Sequence, residues 1–190
     1  MTTPPHSREQ VRQRIVQSAA LLFNRHGFPA VSIDDIMAGA GLTRGGFYNY
    51  FQSKSELYVE TISHFVEEKR EAVGTTEKAA DRASHLVRDY LSLKHLEEVD
   101  ASCPLIGLTN ILSGSDPSVR AALESPLRLM IETFEQGVTP TGEPARQLAV
   151  ALASLCVGSM VLARAVEDRS LADELREAAM AIALKLGNWT

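Results

Sequence analysis

Two cysteines in 190 residues, Cys103 and Cys156, are too few for a disulfide framework, and they form no CxxC pair. That scarcity argues against structural zinc. No HExxH, P-loop, GxSxG or Rossmann fingerprint occurs, and His64, His85 and His95 make no i, i+4 pair. The chain therefore names no catalytic residue, no metal ligand and no cofactor, and an enzyme has nothing to rest on. Long apolar runs are scarce too. Residues 147–163, QLAVALASLCVGSMVLA, are the one uncharged stretch approaching membrane length. They sit at the short edge of the roughly 17–25 residues a span needs, diluted by Ala, Ser and Gly, so a buried bundle helix is expected instead. The opening MTTPPHSREQ has no apolar core, so a cytoplasmic protein is expected.

Basic charge is also in short supply, with a net charge of −5. Its distribution is uneven. Residues 1–52 hold five arginines (Arg8, Arg12, Arg14, Arg25, Arg44) against Glu9, Asp34 and Asp35, a net of +2, while residues 53–190 carry −7. A basic head on an acidic body is the pattern expected when only the head meets phosphate, although statistical scatter would also produce so small an excess.

Helical signals are abundant, with 45% apolar residues spread along the whole chain. A Ser7-x-x-Gln10 capping box opens a helix over 7–26, with Val11, Ile15, Ala19, Leu22 and Phe23 on one face and Gly27 closing it. Ser32 and Asp35 box a second helix that runs out at Gly39-Ala40-Gly41, and Thr43 starts a third from Arg44 to about Phe51. Two short helices joined by a glycine-containing turn make a helix-turn-helix. Ser53-x-x-Glu56 then opens a long helix to about Val73, followed by expected helices over 77–99, 103–113, 117–137, 144–166 and 170–186. Asp116-Pro117 and Ser170-x-x-Asp173 mark two of these starts, and Pro126 should kink or split the helix that contains it. No alternating strand pattern appears. The expected fold is all-α: a three-helix helix-turn-helix head over residues 1–52, extended to about 58, on a helical bundle over 53–190, about nine helices in all.

The stretch GFPAVSIDDIMAGAGLTRGGFYNYFQSKSEL, Gly27 to Leu57, resembles the DNA-binding head of the TetR (tetracycline-repressor) family. The likeness lies in Gly27-Phe28, Val31-Ser32-Ile33, Ile36, Ala40-Gly41-Leu42-Thr43, Gly45, Phe47-Tyr48, Phe51, Lys54 and Leu57. Met37 and Tyr50 depart from it, standing where the family commonly has Ala and His. The resemblance implies that Ser32, Tyr48 and Lys54 clamp phosphates of double-stranded operator DNA, with Tyr50 near a further such contact. It also implies that the body binds a small apolar inducer.

The residues carry their own argument. A two-turn helix starting at Thr43 can enter the major groove, with Gly45 and Gly46 allowing close backbone approach. Arg44 is suited to pair bidentately with a guanine edge, and Asn49 could read adenine. Ser32 and Thr43 also serve as caps, Arg44 as a solvated charge, and Phe47 and Phe51 as core anchors rather than stacking groups. Arg8, Arg12 and Arg14 form either a solvated face or a track along the DNA backbone.

In the body, Leu86, Tyr90, Leu93, Cys103, Leu105, Leu108, Ile111, Leu112, Leu127, Met130, Ile131 and Phe134 either enclose a ligand pocket or form a tight core. Cys103, before Pro104, suits a structural thiol. The last two helices suggest a homodimer interface through Ala149, Ala153, Gly158, Leu171, Leu175, Ala178 and Ile182. The resulting expectation is a homodimeric repressor released from a palindromic operator by an apolar inducer. The alternative is a helical small-molecule-binding or scaffolding protein with a vestigial DNA head.

Overall fold

In the computed structural model, which describes residues 7–72, 78–100, 103–106, 116–139 and 144–189, every regular element among those residues is helical. The head comprises α1 (Arg8–His26), α2 (Ile33–Gly39) and a 3-10 helix, η1 (Arg44–Asn49). Both expected capping boxes close: Ser7 with Gln10, and Ser32 with Asp35. Gly39 lets α2 cross α1 closely, since a Cβ there would fall 2.4 Å from Ser18 Oγ, and that hydroxyl donates to the Ile36 carbonyl. Gly41 turns the chain at φ +68°, in the left-handed region that glycine adopts without penalty.

The third helix is tighter than its sequence suggested. Two consecutive glycines weaken α-helical propagation, and the Gly46 amide bonds the Thr43 carbonyl three residues back. So short an element cannot hold itself. Phe47 and Phe51, both fully buried, anchor it, each burial being worth about 1.5–3 kcal/mol.

Helix α3 (Lys54–Ala72) leaves the head and enters the body, which adds α4 (Ala79–Tyr90), α5 (Leu93–Glu97), α6 (Pro117–Gly137), α7 (Ala145–Ala165) and α8 (Arg169–Gly187). Three sequence expectations change here. The single helix over 77–99 breaks at Leu91–Ser92, because the Ser92 hydroxyl accepts the His95 amide and starts α5. Asp168, not Ser170, caps α8, its carboxylate accepting from the Ser170 and Leu171 amides. Helix α6 runs unbroken through Pro126, which is buried, with Val119 and Leu123 on one side of it and Met130, Ile131 and Phe134 on the other. Most of the helix expected over 103–113 lies outside the described residues, of which 104–106 form a 3-10 turn.

Two cores result. The head core holds Ile15, Ile36, Met37, Phe47, Phe51 and Leu57, and Val119 and Leu123 of α6 complete it. The body core gathers Val87, Leu105, Phe134, Leu152, Met160 and Ala183. Helix α6 therefore belongs to both. Helix α7 is long and apolar enough to cross a membrane by length and composition, and it packs between α6 and α8.

Candidate DNA-binding face

Three arginines of α1 tie it to the turn, to η1 and to α3. Arg8 donates to the Asn49 carbonyl at 2.9 Å, Arg14 to the Ala40 carbonyl, and Arg12 pairs with Glu60 of α3 while lying over the Phe51 ring. Arg12 and Arg14 are half-buried, whereas Arg8 stays exposed.

Lys54 is also redirected. Its ammonium donates to the carbonyls of Phe28 and Val31, both at 2.9 Å, and sits 4.5 Å from the centre of the Phe28 ring. Partial burial lowers its pKa. Two of its three N–H groups are thus engaged in holding the α1–α2 connection. The Ser32 hydroxyl is likewise occupied, accepting the Asp35 amide and donating to the Asp35 carboxylate at 2.6 Å, which keeps that carboxyl below its ordinary range.

The surface of η1 contrasts with this interior. Thr43 makes no side-chain cap bond, so the cap expected of its hydroxyl does not form and the group stays exposed. Tyr48 is 64% exposed, unusual for so large a ring, with its edge packed against Phe47. Asn49 is exposed, and Tyr50 is half-buried against the head core. Nothing lies within 4 Å of a Cβ built on Gly45, and Gly46 would meet only the end of Met37 at 3.6 Å. The fold itself does not require a glycine at either place. Arg44 projects outward and pairs with Asp34 of α2 at 2.7 Å, both side chains largely in solvent. Thr43, Arg44, Gly45, Tyr48 and Asn49 thus share one short element on the head's surface. That collection can offer a groove a bidentate donor, an amide, a hydroxyl and an aromatic hydroxyl.

The body divides the expected pocket residues. Tyr90, Cys103, Leu105, Met130, Ile131 and Phe134 meet in one buried cluster with Leu86 at its edge. Leu93 and Leu127 instead face solvent, because α5 begins a new direction at Ser92 and Leu127 lies on the outer side of α6. Leu108, Ile111 and Leu112 lie outside the described residues. Within the cluster, His95 Nδ1 donates to the Tyr90 carbonyl at 2.7 Å and its Nε2 accepts the Cys103 amide at 3.4 Å, a pattern that requires the neutral ring. Burial lowers the His95 pKa accordingly.

The expected interface residues divide as well. Ala149 and Ala153 are buried within the chain's own core, so they cannot meet a partner. Gly158, Leu171, Ala178 and Ile182 are exposed, and Leu175 is half-buried.

One feature had no sequence signal. The Arg25 guanidinium grips the Asp100 carboxylate through two nitrogens, and Asn24 donates to the Asp100 carbonyl at 3.0 Å. This pins the end of α1 to the segment after α5, beside a cleft of about 710 Å³ lined by Leu96, Val99, Ile106, Val161 and Arg164 among others. Positions 25 and 100 share no periodicity, so only tertiary structure could pair them.

The comparisons fit this geometry. Residues 15–61 match the model of the bacterial regulatory proteins, tetR family. A helix-turn-helix-type transcriptional regulator of Mycobacterium tuberculosis is 25% identical over 170 residues, covering 83% of this chain and 86% of that one. The transcriptional repressor DhaR of Mycobacterium sp. strain GP1 is 28% identical over 136 residues, 70% of this chain and 65% of that one. Among solved structures, a TetR transcriptional regulator from Chloroflexus aurantiacus superposes with a TM-score of 0.72 at 25% identity, covering 91% of this chain and 93% of that one. With a braced helix-turn-helix and relatives that are themselves regulators, residues 15–61 are a head of the tetR family of bacterial regulatory proteins, and the all-helical chain as a whole is similar to TetR transcription regulators.

Proposed function

We propose that this regulator is a homodimeric repressor that binds a near-palindromic operator through η1 and is released by a small apolar effector held in the body. The head then corresponds to residues 1–52, extended to about 58 by the start of α3, and the rest is the effector and dimer unit. The observation that carries the reading is the contrast within the head. Arg12, Arg14 and Lys54 are half-buried and bonded within the chain, while Thr43, Arg44, Tyr48 and Asn49 stand outward beside two glycines that packing does not need. Arg44 reads a base edge, and Thr43 and Tyr48 position the helix on phosphate.

Dimerisation supplies what one short helix lacks, since two half-sites multiply specificity. The outer face of α7 and α8 suits it. Val150, Leu162, Leu171, Ile182 and Leu186 are all large, apolar and exposed, with Gly158 and Ala178 allowing close approach. Release follows if the effector favours the arrangement whose two heads no longer match the half-sites; equal affinity for both arrangements would shift nothing.

The test is a footprint on the DNA flanking the chain's own gene, repeated with Arg44→Ala and Tyr48→Ala. The wild type should protect a two-fold symmetric site in preference to random duplex. Arg44→Ala should lose about 1–3 kcal/mol per half-site and relax the sequence preference, whereas Tyr48→Ala should weaken all sequences alike. Equal affinity of wild type and Arg44→Ala for that site would refute the reading.

A further inference from the structure

The cleft of about 710 Å³ at the end of α1 plays no part in the DNA-binding face. Its lining comes from both halves of the molecule: Arg25 from α1, Leu96 from α5, Val99 beyond it, Val161 and Arg164 from α7, and Arg169 from α8. Small-molecule sites of roughly 300–1,000 Å³ favour such junctions.

Depth sorts the charges that line it. Arg169 and Glu97 pair with each other at 3.2 Å and both stand in solvent, where salt screens them. Glu167 is exposed as well, and Arg25 is closed by Asp100. Arg164 differs from these. It is half-buried, and its guanidinium donates to the His95 carbonyl at 2.6 Å, which holds it in the wall. The surface beside it is apolar, made by buried Ile106 and Ala163 and half-buried Val99 and Val161. Burial lowers the Arg164 pKa, so an anion seated there would offset that penalty. A guanidinium is weakly hydrated for a cation, and its planar fork matches a carboxylate.

We propose that this cleft binds a small organic carboxylate, a compact apolar body carrying one acid group, with the acid against Arg164 and the body on Val99, Ile106 and Val161. Such a ligand is a second effector, distinct in charge from the apolar one proposed above. Its occupancy is felt by the head. Val99 adjoins Asp100, whose carboxylate and carbonyl hold Arg25 and Asn24 at the end of α1. A ligand that sets the position of Val99 therefore acts on that clasp, and the coupling is reciprocal between ligand and DNA. Only this coupling rests on the repressor reading.

Naphthoate, naphthalenemethanol and naphthylmethylammonium share one apolar body and differ in charge. Calorimetric titration of the full chain without DNA should show the carboxylate binding at least about tenfold tighter than the alcohol, and the ammonium no tighter than the alcohol. Arg164→Gln keeps a donor for the His95 carbonyl and should bring carboxylate and alcohol within about threefold of each other. Ala165→Trp, at an exposed lining position, should weaken both at least about tenfold with an unchanged helical spectrum, and it decides the matter if Arg164→Gln unfolds. Equal binding of carboxylate and alcohol by the wild type, an ammonium that binds as tightly as the carboxylate, a preference kept in Arg164→Gln, undiminished binding by Ala165→Trp, or no binding at millimolar concentration would each overturn the site. Saturating naphthoate should also shift affinity for the footprinted operator at least about fivefold in the wild type and less than about twofold in Asp100→Ala, which breaks the clasp without touching the lining. No shift in the wild type, or an equal shift in both chains, would overturn the coupling. Absence of any operator would refute the repressor reading and the coupling with it, while the titrations still decide the site.

Discussion

Lys54 shows how one residue's meaning depends on its neighbours. A lysine at the edge of a helix-turn-helix invites a phosphate contact, and the family resemblance points the same way. Its ammonium instead closes two carbonyls on the α1–α2 connection and caps the Phe28 ring, which in turn packs on Phe23 and Tyr58. Lys54→Met should therefore act on the fold, since hydrogen bonds to a charged donor contribute about 1.5–3 kcal/mol and here two are lost, their carbonyls regaining water at this partly exposed site, which places the net loss near 1–2 kcal/mol. Chemical denaturation should find it. The slope of operator affinity against salt should stay at the wild-type value, because a lysine that neutralises no phosphate releases no counterion; a slope reduced by about one would return Lys54 to the DNA. Arg44 is the opposite case. Its partner Asp34 lies in solvent, so the ion pair holds the side chain only weakly and leaves it able to exchange a carboxylate for a base.

Among the elements, α6 carries the most structural consequence. It contributes Val119 and Leu123 to the head core and Met130 and Phe134 to the body core, so any change in its position is felt by both. Its far end is fixed by close contact with α4. A Cβ at Gly137 would fall 2.4 Å from the Ala83 Cβ and 2.7 Å from the Ala79 carbonyl oxygen, and backbone atoms cannot rotate out of the way. The Gly137 carbonyl also accepts from the Trp189 indole at 3.0 Å, with that ring stacked on Phe134. Gly137→Ala should consequently cost about 1–3 kcal/mol despite the better helix propensity of alanine. Urea unfolding followed by Trp189 fluorescence measures it, and a neutral or stabilising result would mean that α4 and α6 are free to separate. The helix boundaries follow similar local chemistry: Ser92 and Asp168 set where α5 and α8 begin because their side chains reach amides two or three residues on. Several neighbouring positions could have served, and the sequence alone does not say which one does.

The whole molecule must satisfy the exposed apolar face of α7 and α8. Five large aliphatic side chains on two adjacent helices make a patch that a second copy would cover with a four-helix contact. The double variant Leu162→Glu, Ile182→Glu should sediment as a monomer with an unchanged helical spectrum, and its operator affinity should fall by at least a hundredfold as the second half-site is lost. A variant that stays dimeric would move the interface elsewhere. The Arg25–Asp100 contact belongs to the same scale. Besides α3 and α6 it is a third tie between head and body, and it adjoins the cleft where α7 meets α8. A shift in the body can thus reach α1 directly, without passing along α3.

The sequence by itself determined the all-helical class, the helix-turn-helix with the capping boxes of α1 and α2 but not the cap expected of Thr43, and the residues that anchor η1, because these depend on contacts within a turn or two and on periodicities that a linear chain displays. Ser7 with Gln10, Ser32 with Asp35, and buried Phe47 and Phe51 are all of that kind. Only the tertiary structure decided which cations face inward, which side of α7 is core, and which expected pocket residues actually meet. Lys54 reaches carbonyls 23 and 26 residues away, Arg25 meets a carboxylate 75 residues on, and Ala149 and Ala153 turn inward while Leu162 and Ile182 turn out. The physical reason is the same throughout. A side chain's type fixes what it can bind, but long side chains and apolar helix faces take whichever partner the packing of distant elements brings within reach.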